Sequence, residues 1–237
     1  MRRSIVSALA AAFVAVPLAA GATLIVPVSQ TRSVSASASV TGGQPSSSTF
    51  SASDFGPWDQ TATAGSSRVN PSGTMTNSVR QRSTIGESSL SSEIDGGMLR
   101  TEFGGGSGST QSVFDVTFDL TGTASYKLAN GLNQSSLIGH VVTLYDVNGQ
   151  VIAQPIARMF PVGYPDAYDL MGLATGVLGA GRYRLTVQWN RNGVADFGPD
   201  STFDGVMNLA FTPIPEPGTV PLFVLGLGAL AARRQRA

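Results

Sequence analysis

This 237-residue sequence predicts an all-β protein whose body is an antiparallel β-sandwich of jelly-roll-like type. Two observations carry the prediction and a third supports it. Apolar and polar residues alternate with period two through several segments, as a strand buried on one face requires. Gly, Pro and Asn turns separate those segments with no helical pattern between them. Ser, Thr and Gly are abundant and long amphipathic stretches are missing, so a helical bundle or coiled coil is disfavoured. Two apolar ends flank the body: an N-terminal signal peptide over 1–22 and a short C-terminal hydrophobic helix inside 213–237.

The elements follow in order. From Ser33 to Val40, Val34, Ala36, Ala38 and Val40 alternate with four serines. Gln111 to Leu120 is the clearest strand: Phe114, Val116, Phe118 and Leu120 point one way, Asp115, Thr117 and Asp119 the other. His140 to Val147 is β-branched and apolar, and Asp146-Val147-Asn148-Gly149 leads into Val151-Ile152 as a hairpin through an Asn-Gly turn. Tyr168 to Val177 is the one helix-like stretch, and it reads equally as a loop. From Arg182 to Trp189, Tyr183, Leu185, Val187 and Trp189 face in, while Arg182, Arg184, Thr186 and Gln188 face out. Phe203, Met207, Leu209 and Phe211 share a face. Serine is concentrated between Ser29 and Ser109, which hold 21 of the 28. The run Gly104 to Ser109 marks the change, as a flexible linker or a long loop. The Ser/Ala strands before it suit outer or edge positions of a single body over 23–212; a disordered N-terminal half is the alternative.

Composition excludes several functions. There is no cysteine, hence no disulfide scaffold, thiolate metal site or Cys nucleophile, and His140 is the only histidine. Charged residues make up 13% of the chain against about 25% in an average soluble protein. Residues 23–212 hold 14 acids against 10 bases. A body carrying −4 with one lysine, Lys127, suits neither nucleic acid nor an anionic membrane surface.

The N-terminus reads as an export signal. Arg2-Arg3 precede an apolar run from Ile5 to Leu18, and Ala20-Gly21-Ala22 offers small residues for signal peptidase, with cleavage after Ala22 or, alternatively, Ala20. At the other end, Pro213-Ile214-Pro215-Glu216-Pro217-Gly218 precedes an apolar run from Val220 to Ala232, closed by Arg233-Arg234-Gln235-Arg236. The prolines disfavour helix and strand pairing, leaving an extended segment that an enzyme can grip. Thr219 to Ala232 gives about 21 Å of helix, short of a ~30 Å hydrocarbon core. Such a segment suits a temporary membrane anchor, with the arginines held on the cytoplasmic side.

The Pro215-Glu216-Pro217 triplet, the Leu/Gly-rich segment and the terminal arginines, in that order, resemble the PEP-CTERM sorting signal of exopolysaccharide-secreting Gram-negative bacteria. The resemblance covers about a tenth of the chain. It implies that exosortase, a membrane-embedded enzyme, recognises the tail, cuts near the triplet and passes the protein toward the cell surface or extracellular matrix. The catalytic residues then belong to exosortase, and none is expected here.

Chemistry in the body is sparse. No motif anchors a nucleophile, and His140 lacks a partner set. Asp146, Asn148 and Gly149 echo part of a calcium loop but lack its later ligands. Asp196, Asp200 and Asp204 are the candidate Ca²⁺ ligands, with a solvated acidic loop as the plainer reading. No other cofactor is called for. Trp58, in Phe55-Gly56-Pro57-Trp58-Asp59, and Tyr164 and Tyr168, flanking Pro165-Asp166, are candidate sugar-stacking aromatics; Trp58 reads equally as a cap on the core. Three function classes follow: a non-enzymatic surface or matrix protein associated with exopolysaccharide, a carbohydrate-binding or adhesive module, and, with least support, a secreted hydrolase.

Overall fold

The computed structural model describes residues 23–69, 72–101, 105–134, 139–155, 158–161, 168–194 and 201–214. They form thirteen strands: β1 (Ile25–Val40), β2 (Ser46–Ser51), β3 (Trp58–Val69), β4 (Ser72–Ile85), β5 (Ser89–Thr101), β6 (Gly106–Leu120), β7 (Ala124–Gln134), β8 (Gly139–Asp146), β9 (Val151–Ala153), β10 (Arg158–Pro161), β11 (Tyr168–Leu178), β12 (Gly181–Val194) and β13 (Ser201–Pro213). No helix occurs among the described residues. One sheet runs β2-β1-β6-β12-β8-β9 and the other β10-β11-β7-β13-β5-β4-β3, every pairing antiparallel. They pack face to face as the sandwich that the period-two patterns require. Residues 1–22 and the expected C-terminal helix lie outside the described residues.

The core forms where the alternation is strongest. Phe114, Val116, Phe118, Leu185 and Val187 are fully buried and Trp189 nearly so. Phe118 meets Tyr183 and Phe211 with ring centroids 6.0 and 5.7 Å apart, the second pair edge-on. Such tilted pairs add to the burial of apolar area. Arg182 and Arg184 face outward as the pattern predicts, but Asp115 and Asp119 are half-buried rather than exposed. Each is gripped by the arginine across the strand pair, which lies over it: Arg182 Nε and Nη2 donate to Asp119 at 2.8 and 3.0 Å, and Arg184 Nε and Nη2 to Asp115 at 2.9 and 2.5 Å.

Three local expectations are corrected. The stretch from Tyr168 to Val177 is strand β11, paired with both β10 and β7. Its apolar residues fall on both faces, which blurs the period; Leu173 and Val177 are exposed. The glycine-serine run is no linker from Gly106 onward: it opens β6, and Gly105 O accepts Thr41 N at 2.9 Å. The Ser/Ala strand β1 is not an edge but lies between β2 and β6. Its small inward residues are matched by the facing sheet. Ala38 pairs with Gly108 and Val40 with Gly106, and β4 sends Met75 and Asn77 into the space they leave. Asn77 Nδ2 donates to Ser37 O at 2.5 Å. The true edges on that side, β2 and β3, are joined by hydroxyls: Ser48 Oγ donates to Thr63 O at 2.9 Å and Gly65 N to Ser46 Oγ at 3.0 Å.

The hairpin at 146–151 is present. Asp146 Oδ1 accepts Asn148 N at 2.9 Å and Gln150 N at 2.8 Å, and Gly149 adopts φ +77°. That carboxylate caps the turn.

Candidate functional site

The sorting segment leaves the body from the end of β13. Phe203, Met207, Leu209 and Phe211 hold that strand in the core, with Phe211 N donating to Ser88 O at 2.9 Å. Pairing with β7 runs to Pro213 opposite Ala124. Pro213 has no N–H to extend the ladder. One more backbone bond follows, Ile214 N to Thr123 O at 2.9 Å, and the next residue is Pro215. The other end of the body lies beside it: Thr121 Oγ1 donates to Thr23 O at 2.9 Å and Thr121 N to Leu24 O at 2.9 Å. The loop 121–123 therefore holds both ends of the described body at one pole of the sandwich. Pro215, Glu216, Pro217, Arg233, Arg234 and Arg236, and the cleavage residues Ala20 and Ala22, lie outside the described residues.

The candidate sugar-stacking and Ca²⁺ residues fall only in part among the described residues. Trp58 opens β3, half-buried and packed on the core cluster. Tyr168 opens β11, at the far pole from the start of β3, while Tyr164 lies outside the described residues. Asp204 is exposed on β13, opposite Asp95 of β5 and Asn133 of β7. Asp196 and Asp200 lie outside the described residues. Among the described residues no three His, Cys, Asp or Glu side chains are grouped to hold a metal ion. His140 sits on β8 opposite Trp189 in register.

Two polar arrangements escaped the sequence reading. The first is Arg32, on the inward side of β1 with no exposure. Its Nη1 donates to Gly56 O at 2.8 Å and Ser83 Oγ at 3.3 Å, its Nε to Gln30 Oε1 at 3.2 Å, and its Nη2 to Asp54 O. Burial pushes its pKa down, and the Asp54 charge partly restores it. The guanidinium pins the loop that presents Trp58. The second is an open groove of about 500 Å³ over the outer face of β6, β12 and β8. Thr117, Tyr145, Arg182, Arg184, Thr186 and Gln188 line it, and the Asp146 turn closes one end. The hydrogen bond from Arg182 holds the Asp119 carboxyl below the usual carboxylate range. The bidentate Arg–Asp pairs fix both guanidinium planes and leave further N–H groups on each for a ligand. Arg182 directly opposite Asp119, and Arg184 two residues out of register with Asp115, are the sequence signal for this groove.

Fold and junction together define a β-sandwich whose last strand runs straight into a processing segment. Comparison with protein families identifies that segment, residues 213–237, as the PEP-CTERM protein-sorting motif. The chain is thus a protein bearing a PEP-CTERM sorting domain, and the motif implies export, exosortase as processing partner and exosortase-targeted sorting to the cell surface. No curated protein matches the chain.

Proposed function

We propose that this is a non-enzymatic surface or extracellular-matrix protein, associated with exopolysaccharide in a biofilm, whose apolar tail anchors it in the inner membrane until exosortase cuts it. The carrying observation is the sorting motif at 213–237, joined to a sandwich body without a spacer. A chain with no cysteine, one histidine and no nucleophile motif supports the non-enzymatic reading. Signal peptidase removes the leader in this scheme, cutting after Ala22 or, alternatively, after Ala20. Glu216, between two prolines, is open to recognition, and Arg233, Arg234 and Arg236 stop the tail from passing through the membrane.

Mass spectrometry of the released protein tests this. Mature chains are expected to begin near Thr23 and to lack the stretch from about Gly218 to Ala237. Glu216→Ala or Pro217→Ala should leave export intact and trap a longer, membrane-held form. Released chains that still carry Leu222 to Leu230 would show that the tail is not processed.

A carbohydrate-binding body is the second reading, favoured by the groove. Its paired guanidiniums and carboxylates are neutral together, and hydroxyl and amide side chains beside Tyr145 match a polyhydroxyl chain. A panel of neutral glycans tested against the wild type and Tyr145→Ala separates the two readings.

A further inference from the structure

Both ends of the described body lie at one pole. Its turns are 52–57, 86–88, 121–123, 147–150 and 179–181, in which Asp54 and Glu87 are the ionisable residues; the Arg182–Asp119 pair and Asp146 flank them. Exposed aliphatics gather around it: Val26 and Val28 at the start of β1, Val147 and Val151 at the β8–β9 turn, and Ile214 after β13. At the opposite pole Val69, 94% exposed, ends β3 beside the start of β4.

The chain beyond the body sets the distance. From Ile214 to Val220, where the apolar run begins, is six residue steps, which span at most about 20 Å fully extended. A tether this short, leaving the body beside the 121–123 loop, limits its freedom to turn another face to the bilayer.

We infer that this pole is a lipid-facing surface, on which the sandwich rests against the headgroups while its tail is still attached. The inference rests on the proposed anchoring of the tail. The body carries −4, so the contact is made by small and aliphatic residues with zwitterionic headgroups, and not by charge attraction.

The leader-cleaved Glu216→Ala chain, from Thr23 to Ala237, in zwitterionic phosphatidylethanolamine–phosphatidylcholine vesicles provides the test. The native sequence has no cysteine, so single-cysteine labelling is clean. Gly122→Cys probes the near pole, where a Cβ meets nothing within 4 Å, and Val69→Cys probes the far one. Ser88→Cys, an isosteric change, is a second near-pole probe should Gly122→Cys disturb the loop. With brominated lipids, quenching of the near-pole labels is expected to exceed that at residue 69 at least threefold, and to persist in high salt. Equal quenching in a chain that floats with the vesicles overturns the lipid-facing pole and leaves the anchor standing. A chain that does not float overturns the anchored reading and this inference with it. Shielding of residue 122 only when exosortase is co-reconstituted assigns the pole to the enzyme and overturns the lipid surface.

Discussion

A buried arginine is the residue on which the β2–β3 side of this sandwich turns. Arg32 occupies an inward position of β1, in line with Val34 and Ala36, where the alternation calls for an apolar side chain. Burying a cation is costly unless its donors are satisfied. Here two backbone carbonyls, Asp54 O and Gly56 O, with Gln30 and Ser83, provide the acceptors. Arg32→Ala should therefore release the 52–57 loop and cost about 1.5–3 kcal/mol, the range for hydrogen bonds to a charged group. Urea denaturation gives the stability, and Trp58, one residue past the loop, should report greater solvent exposure in its fluorescence. An unchanged midpoint would mean that the loop is held by other contacts.

At the level of elements, close strand packing depends on glycine at an inward position of β6. A Cβ on Gly108 would sit 1.9 Å from Asn77 Nδ2, 2.7 Å from Met75 Cε and 2.8 Å from Ser37 O. Two of those three neighbours reach in from the other sheet, so the two sheets interlock there. Gly108→Ala should destabilise by about 1–3 kcal/mol through overpacking. Gly122→Ala, in an open loop, should leave stability within ~0.5 kcal/mol. The core strands supply the opposite case. Phe118→Ala removes a fully buried ring from between Tyr183 and Phe211, and should cost about 3–5 kcal/mol. Chemical denaturation of the three variants side by side decides; a Gly108→Ala as mild as Gly122→Ala would show that the corner can open without loss.

Over the whole molecule, the two halves of the sequence are interleaved. β1 from the serine-rich half pairs with β6, and β5 pairs with β13, so each sheet joins strands from both sides of the glycine run. Cutting the chain at Gly105 should leave fragments 23–105 and 106–214 without stable structure on their own, while the intact body unfolds in one transition. Far-UV circular dichroism of each fragment and a single thermal transition of the whole would bear this out; a folded 106–214 fragment would refute it. This interleaving was hidden in the sequence because pairing partners lie far apart: Ile25 meets Leu120 and Leu90 meets Leu209. Alternation did show which residues of β6, β12 and β13 turn inward, since the strand period is two and a buried face must be apolar. The sorting tail was equally legible, because it acts as a linear segment whose residues, order and position are the signal. Tertiary structure alone decided that β11 is a strand, that β1 is not an edge and that Arg32 lies inside. For Ser, Ala and Gly the cost of burial is small either way, so their place depends on what the opposite sheet brings to meet them. It alone also decided that both ends of the body leave at one pole, since strand direction follows from long-range pairing, which no local pattern encodes.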